Sequence, residues 1–210
     1  QPAFNSGADN HAGEIVKQVI TAFEHFDYVV VPSGSCAGML KVHSKELFSD
    51  EPEWSERHAS LAQKTYEIMS FLTDVMDFTP KGVSCKSTAT YHDSCSGLRE
   101  LNIHDQPRAL LSSVDGLEMK PLSGNDVCCG FGGTFCMKYP DISNQIVGDK
   151  AREITKTNAD MLLAGDLGCL MNMAGKLSRD GAKVKAYHAV EVLAGMTDEP
   201  AICEPEREPS

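Results

Sequence analysis

The stretch ADMLLAGDLGC, residues 159–169, consists of an Asp, a short apolar run, a turn of small residues and a terminal cysteine. The stretch FDYVVVPSGSC, residues 26–36, has the same order and aligns with it without gaps, at an offset of 169 minus 36, or 133 residues. Each stretch is typical of a buried β-strand that ends in a turn. The chain therefore contains two copies of one βαβ-type unit.

Helical and strand patterns alternate on both sides of these stretches. Strands are predicted at STATYHDSC (87–95), GLEMKPLSG (116–124) and AKVKAYH (182–188), with helical spacing of apolar residues between them. A single long helix is predicted over 53–78, and a helix interrupted near Pro107 follows the strand at 87–95. This alternation predicts an α/β fold of two repeated halves, each built from parallel βαβ units with helices on the sheet faces.

The repeat also predicts the domain organisation. Residues 1–45 form the remainder of the first repeat, 46–82 a connecting helical segment, and 83–196 the complete second repeat. Residues 197–210 are acidic and rich in proline, which predicts a disordered tail. Because the first copy starts where its own cysteine pair would end, we expect the natural protein to have an N-terminal segment that is missing here.

Cysteines follow the predicted strands of the second copy. The sequence GNDVCCGFGG, residues 124–133, places Cys128 next to Cys129, and the full spacing from Cys95 to Cys169 is C-x32-CC-x39-C. In an open parallel sheet the carboxyl ends of the strands share one edge, so four thiolates can converge there. Gly130, Gly132 and Gly133 let the backbone pass close to a cluster and direct amide groups at its sulfides. The pattern indicates an iron-sulfur site, with 4Fe-4S as the expected cluster.

Other interpretations of these cysteines stay open. Four thiolates also suit structural zinc, although the usual C-x2-C spacing of zinc knuckles is absent. A redox-active thiol pair is a third interpretation, and a small buried hydrophobe is the plain alternative for any single cysteine. Cys136 is expected to lie at the start of a helix and not to be a ligand. The segment GFGG lacks the G-x-G-x-x-G order of a dinucleotide site.

Composition restricts the class of partner and the compartment. The chain has 210 residues and a net charge of -11, so it lacks the basic surplus that binding to nucleic acid or an anionic membrane requires. No stretch approaches 18 apolar residues, and the N-terminal residues do not resemble a signal peptide. Eight cysteines without an export signal favour reduced thiols over disulfides. We expect a cytoplasmic protein without membrane insertion.

The residues also resemble a known family. CCGFGGTF (128–135), YHDSC (91–95) and GDLGCLMNMAGKL (165–177), together with QPAFNSG (1–7) and DEPEW (50–54), are similar to the cysteine-rich CCG-domain proteins. The closest resemblance is to the lactate utilisation protein A family of iron-sulfur oxidoreductase subunits. More distant relatives are the glycolate oxidase iron-sulfur subunit and the cysteine-rich subunit of heterodisulfide reductase. The resemblance implies a component of an L-lactate oxidation system that passes electrons through iron-sulfur centres and works with companion iron-sulfur and lactate-utilisation proteins.

Three positions depart from the relatives. Heterodisulfide reductase-like domains have a C-x2-C at the distal position, where this chain has Asp166 before Cys169 and Ser33 before Cys36. Asp166 is expected to accept N–H groups within its turn. Cys136 occupies a place where a small residue is expected. The first copy keeps only Cys36, so a second site there needs cysteines outside this sequence.

Two functions from different classes follow. The first is an iron-sulfur electron-transfer subunit with Cys95, Cys128, Cys129 and Cys169 as metal ligands, in an L-lactate (2-hydroxy acid) oxidising complex or a glycolate oxidase-like one. His92 lies on the same predicted edge, as does His188, and either ring can donate a hydrogen bond to a sulfide. The second function is a zinc-stabilised scaffold subunit. No flavin or nicotinamide motif is evident, so hydride chemistry is expected in a partner.

Overall fold

The computed structural model describes residues 1–204, and its elements alternate between helix and strand as predicted. The strands are β1 (Val29–Val31), β2 (Thr65–Glu67), β3 (Ser84–His92), β4 (Asp115–Lys120), β5 (Met161–Ala164) and β6 (Lys185–His188). The α-helices are α1 (Pro2–Asn5), α2 (Asp9–Phe23), α3 (Gly34–Gly38), α4 (Pro52–Gln63), α5 (Ile68–Ser70), α6 (Cys95–Glu100), α7 (Asp105–Ser112), α8 (Phe135–Lys138), α9 (Pro140–Lys156), α10 (Leu167–Arg179) and α11 (Ala189–Leu193).

All strand pairs in the described part of the chain are parallel. The larger sheet has the order β4-β3-β5-β6, and a smaller sheet pairs β1 with β2. In the larger sheet Tyr91 of β3 is in register with Leu163 of β5, which in turn is in register with Tyr187 of β6. The predicted α/β class with parallel sheets is confirmed.

Strand β5, one of the two inner strands, is buried along its whole length, because helices cover both faces of the larger sheet. Met161 and Leu163 face one hydrophobic cluster with residues of α7 and α11. Leu162 and Ala164 face another cluster, with residues of α9 and α10. The alternation is the ordinary two-residue period of a strand. It explains why MLLA is a continuous apolar run rather than an alternating one.

The predicted repeat is present in the fold. Adding 133 to the residue numbers of α1 gives the range of α8, and the same offset places α2 on α9 and β1 on β5. Cys36 is the third residue of α3, as Cys169 is the third residue of α10. The chain then continues through a π-helical turn (39–43) and a 3-10 turn (44–48), and these two turns together with α3 cover the counterpart of α10. The two stretches that define the repeat therefore occupy equivalent positions.

The long helix predicted over 53–78 is wrong, because α4 ends at Gln63 and strand β2 follows. Val30 of β1 pairs with Tyr66 of β2, and the side chain of Thr65 is fully buried. The pairing supplies backbone hydrogen bonds from residues 36 positions earlier, which local helical spacing does not reveal. The segment predicted as a helical connection, 46–82, thus contributes a strand to the first half.

Two smaller expectations also differ. The helical stretch after β3 breaks at residues 101–104, and Pro107 lies inside the first turn of α7, where a missing N–H costs nothing. The expected disorder does not hold for 197–204. Ala201 is buried, the Ile202 amide donates to the Ala186 carbonyl, and the Tyr187 hydroxyl donates to the carbonyls of Thr197 and Glu199. The remainder of the predicted tail, 205–210, lies outside the described residues.

Candidate metal centre

Cysteines lie in three of the loops that leave the carboxyl edge of the larger sheet. Cys95 begins α6 after β3, Cys128 and Cys129 lie in the loop after β4, and Cys169 is in the first turn of α10 after β5. Parallel strands place these loops side by side although they are far apart in sequence.

The tightest group at this edge contains two thiols and an imidazole. One side-chain donor atom from each of His92, Cys129 and Cys169 lies within 4.8 Å of the others, and all three residues are buried. Cys129 and Cys169, two of the four cysteines predicted as ligands, therefore lie close together in space. His92, which was predicted to assist the site, lies beside them.

Cys128 and Cys95 are exposed, in contrast to the buried residues of this group. The pKa of the Cys128 thiol is raised, first by a hydrogen bond with the Cys129 side chain and then by burial. Burial also raises the pKa of Cys95, and the neighbouring Cys128 adds to the effect. These couplings connect Cys95 to the group through Cys128, and a ligand set of all four cysteines stays a prediction.

The protonation of the thiols separates two of the sequence interpretations. The hydrogen bond with Cys128 lowers the pKa of Cys129, but a hydrogen bond with Cys169 and burial raise it, and the net shift is upward. Thiols with raised pKa values are protonated and weakly nucleophilic at neutral pH, which disfavours a reactive redox pair. A metal ion binding here would displace these protons, so its affinity would increase with pH.

Lys150 is the buried cation of the site, and the sequence analysis missed it. Burial lowers its pKa, while the nearby Cys129 opposes the shift. Its Nζ donates to the Gly124 carbonyl at the start of the cysteine loop. A fixed positive charge beside several thiols compensates the negative charge that thiolates bring. Its position on α9, one turn after the buried Val147, was the available sequence signal.

Side chains from α9 and α10 hold the backbone of the cysteine pair. Asn172 Nδ2 donates to the Cys129 carbonyl at 2.9 Å, and Ser143 Oγ donates to the Gly130 carbonyl at 2.7 Å. The Gly130 amide points at the Cys128 sulfur, with an N···S distance of 3.3 Å. One amide is thus directed at a candidate ligand sulfur, and the predicted direction of glycine amides at the sulfides of a cluster stays a prediction.

The three glycines have different surroundings. A Cβ on Gly130 would lie 2.8 Å from the Ser143 carbonyl oxygen in α9. At Gly132 the crowding comes from the Phe135 side chain, and at Gly133 it comes from Asn5 of the first half. Only Gly130 contacts a candidate ligand through its amide, and direct contact of the three glycines with a cofactor stays a prediction.

Asp93, next to His92, ties the cysteine loop to the end of β3. Its buried carboxylate accepts two hydrogen bonds from the Arg108 guanidinium, at 2.9 and 2.7 Å, and one from Asn125 Nδ2. The Asp93 amide donates to the Asn125 carbonyl at 3.1 Å. Because Asn125 precedes the cysteine pair by three residues, this network determines where the loop begins.

Asp166 has the turn role that its sequence position predicted. Its Oδ1 accepts the amides of Gly168 and Cys169 at 3.1 and 3.3 Å, which caps α10. Its Oδ2 accepts the Ser35 amide from the first repeat at 2.8 Å, and the Gly34 amide donates to the Gly165 carbonyl. The equivalent turns of the two repeats are therefore bonded to each other.

The two histidines of the edge differ in their hydrogen bonding. In His188, Nε2 contacts the Pro32 carbonyl at 2.7 Å and Nδ1 accepts the Val190 amide at 3.2 Å, so this ring caps α11 and joins the halves. Burial, followed by the charge of Lys150, lowers the pKa of His92 to about 4. The His92 ring is therefore neutral at neutral pH.

The remaining cysteines are not part of the tight group. Cys36 and Cys203 are exposed, and Cys85 is buried at the opposite end of β3. The Cys136 thiol donates to the Gly133 carbonyl at 3.2 Å, which agrees with a local role near the start of α8.

Glu67 is a second buried polar residue that the sequence analysis did not identify. It caps α5, and its Oε2 accepts the amides of Met69 and Ser70. Its Oε1 has no hydrogen-bond partner among the described residues and faces the same space above Gly165 as the Tyr91 hydroxyl. Burial, with a contribution from the like charge of Asp166, raises the pKa of Glu67 to about 7.

Glu67→Gln is expected to change the pH dependence of stability. A folded pKa near 7 and an ordinary value of 4.5 mean that the folded state binds this proton more tightly. Its stabilisation is complete below pH 4.5 and is lost as the pH rises to 7, by up to about 3 kcal/mol. Glutamine keeps an acceptor for the cap and has no such titration. Urea unfolding from pH 4.5 to 8 measures the free energy of unfolding of both proteins. The stability of the variant relative to the wild type should increase as the pH rises. A stability difference that does not change with pH would contradict this.

Comparison with known proteins places the chain among cysteine-rich proteins. The "Cysteine-rich domain" family, named CCG, matches residues 1–41 and 89–174, one segment in each half. "Lactate utilization protein A" of Oceanobacillus iheyensis is 45% identical over 92% of this chain and 79% of its own length. The proteins of the same name from Shouchella clausii and Geobacillus sp. (strain WCH70) are both 47% identical over 92% of this chain, and 80% and 81% of their lengths are covered.

Hydropathy adds one structural finding. Within residues 1–204, no helix combines the length and the apolar character needed to cross a lipid bilayer.

Proposed function

Because this chain belongs to the lactate utilization protein A family of cysteine-rich domain proteins, we propose that it is an iron-sulfur electron-transfer subunit of an L-lactate oxidising complex. In this proposal Cys95, Cys128, Cys129 and Cys169 hold the cluster, for which 4Fe-4S is the expected form. The observation that carries the proposal is the meeting of the cysteine pair with Cys169 at one edge of the sheet.

The residues present fit such a cluster. Cys129 and Cys169 are buried together with His92, and Cys128 and Cys95 are exposed thiols in the neighbouring loops. The amide directed at Cys128 and the charge of Lys150 both favour thiolates over thiols. When bound, an iron-sulfur cluster supplies one-electron transfer. The protein's part is to hold the ligands, compensate their charge and limit access of water to the buried side.

The proposed partners are those that would carry out the oxidation of the 2-hydroxy acid itself. Oxidation of a 2-hydroxy acid releases two electrons and requires a hydride or electron acceptor, and neither a flavin motif nor a nicotinamide motif is evident in the sequence. We therefore assign that step to companion iron-sulfur and lactate-utilisation proteins in the cytoplasm. The net charge of -11 gives no reason to include nucleic acid among the partners.

A zinc-stabilised scaffold is the second candidate function. It is favoured by one observation, namely that a buried imidazole lies with two buried thiols, since mixed Cys and His ligands are common in structural zinc sites. Such a subunit would organise the complex without carrying electrons.

Metal analysis of anaerobically purified protein tests the proposal. The expected result is iron with labile sulfide, together with a paramagnetic signal that appears or disappears on reduction with dithionite. Protein that loses its cluster in air should regain both components on anaerobic reconstitution with iron and sulfide. One equivalent of zinc, with neither iron nor labile sulfide before or after reconstitution, would refute the electron-transfer proposal and support the zinc-stabilised scaffold.

A further inference from the structure

His92 is the last residue of β3, and its side chain is 1% exposed. Neither ring nitrogen has a hydrogen-bond partner within residues 1–204. The Asn125 carbonyl lies near enough to influence the pKa of the ring, but it does not meet hydrogen-bond geometry. A buried polar group without a partner costs about 1 to 3 kcal/mol, so such groups are rare in folded proteins.

The other buried histidines show that this is specific to His92. His58 Nε2 contacts Ser44 Oγ at 2.8 Å and the Leu40 carbonyl at 2.9 Å. Both ring nitrogens of His188 are also engaged, as described above. The fold therefore supplies partners to these two rings and none to the ring beside the cysteines. An unpartnered imidazole at that place points to a partner from outside the chain.

The neighbours of His92 identify the chemistry of that partner. One His92 nitrogen, Cys129 Sγ and Cys169 Sγ lie within 4.8 Å of one another. Metal bonds to imidazole nitrogen and thiolate sulfur are about 2.0 and 2.3 Å long, so donor atoms around one ion are separated by somewhat less than 4.8 Å. Small side-chain movements are enough to close the group. An imidazole nitrogen whose lone pair accepts no hydrogen bond is free to bind a metal.

We propose that His92 is a direct nitrogen ligand of the metal that Cys129 and Cys169 bind. This proposal rests on the proposed function in so far as it concerns the same metal centre. In a 4Fe-4S cluster, which has four terminal ligand positions, His92 takes the place of one of the four predicted thiols. It applies to iron of a cluster and to a zinc ion alike. The sequence analysis assigned His92 only a supporting role through a hydrogen bond.

Titration of the metal-free protein with Co²⁺ alone, under anaerobic conditions, tests the assignment. His92→Ala should weaken Co²⁺ binding at least about tenfold and change the visible absorption of the bound ion, because a ligand is lost. His92→Cys should restore binding and add sulfur-to-cobalt charge-transfer absorption. His104→Ala, which removes an exposed imidazole, should behave as the wild type. Wild-type affinity and an unchanged spectrum in His92→Ala would overturn the proposal.

A measurement on the wild type removes dependence on the folding of any variant. Protein with ¹⁵N in its imidazole rings is reconstituted with iron and sulfide, and pulsed electron paramagnetic resonance should detect ¹⁵N coupling to the cluster. A cluster without that coupling, and with Co²⁺ binding indifferent to His92, refutes the ligand role and leaves electron transfer intact. Co²⁺ binding that requires His92, in protein that assembles no cluster, supports the ligand role and refutes electron transfer.

Discussion

Cys169→Ser should abolish the reconstituted iron-sulfur cluster or alter it strongly. Cys169 is 6% exposed and belongs to the tight group with Cys129 and His92, so serine places a poor oxygen ligand where a buried thiolate is needed. Iron and labile sulfide per protein, together with visible absorption, measure the loss.

Cys85→Ser is the matched control for this change. Cys85 is 8% exposed, and it lies near the start of β3, at the edge of the sheet opposite the candidate centre. This variant is expected to lose some stability and to keep full iron and sulfide. Equal loss of iron in both variants would show that a buried serine harms the fold in general, and the ligand assignment of Cys169 would fail.

Asp166→Ser provides a second control, three residues from Cys169. Serine is a favourable N-cap residue in general and occupies the equivalent N-cap position, Ser33, in the first repeat, although its side chain makes no cap hydrogen bond there. The serine hydroxyl can accept an amide of the turn, whereas the bond from the Ser35 amide of the first repeat is lost. We therefore expect a small loss of stability and an unchanged cluster spectrum. Loss of one iron with all four cysteines intact would add Asp166 to the ligand set.

Gly130→Ala should destabilise the protein by about 3 kcal/mol and disrupt the cysteine pair. Gly130 has a φ of +82°, which costs an L-residue about 1 to 2 kcal/mol, and its new Cβ would lie 2.8 Å from the Ser143 carbonyl oxygen. The contacted atoms are backbone atoms of Ser143 and Val147 and the Cβ of Ile146, all fixed by the backbone of α9, so the loop itself must move. The midpoint of urea unfolding measures the loss of stability, and the Co²⁺ affinity of the metal-free protein measures the disruption of the cysteine pair.

Two variants separate the causes of that effect. Gly13→Ala places the same methyl group in helix α2, where nothing lies within 4 Å, and should stabilise the protein by about 0.5 to 1 kcal/mol. Ser143→Ala removes only the hydrogen bond to the Gly130 carbonyl and should cost about 1 kcal/mol. If Gly130→Ala cost no more than Ser143→Ala, the steric explanation would be incorrect.

The sequence was sufficient to predict the fold class and the edge that carries the candidate centre. Strand and helix periods are local, so the alternation around β3, β5 and β6 could be read directly. The 133-residue repeat then related the two halves, and parallel topology placed Cys95, the cysteine pair and Cys169 at one edge. The turn role of Asp166 could also be predicted from the sequence, because a helix cap depends only on residues within three positions of the capping residue.

Other features were decided only by tertiary structure. Strand β2 forms because β1 offers it hydrogen bonds from 36 residues away, and those bonds outweigh the helical spacing around it. Lys150 and Glu67 are buried by elements distant in sequence, and burial is what shifts their pKa values. The unpartnered ring of His92 is also a property of the assembled edge. Local patterns determine which elements form, whereas burial and hydrogen-bond satisfaction depend on contacts that exist only after the elements have packed.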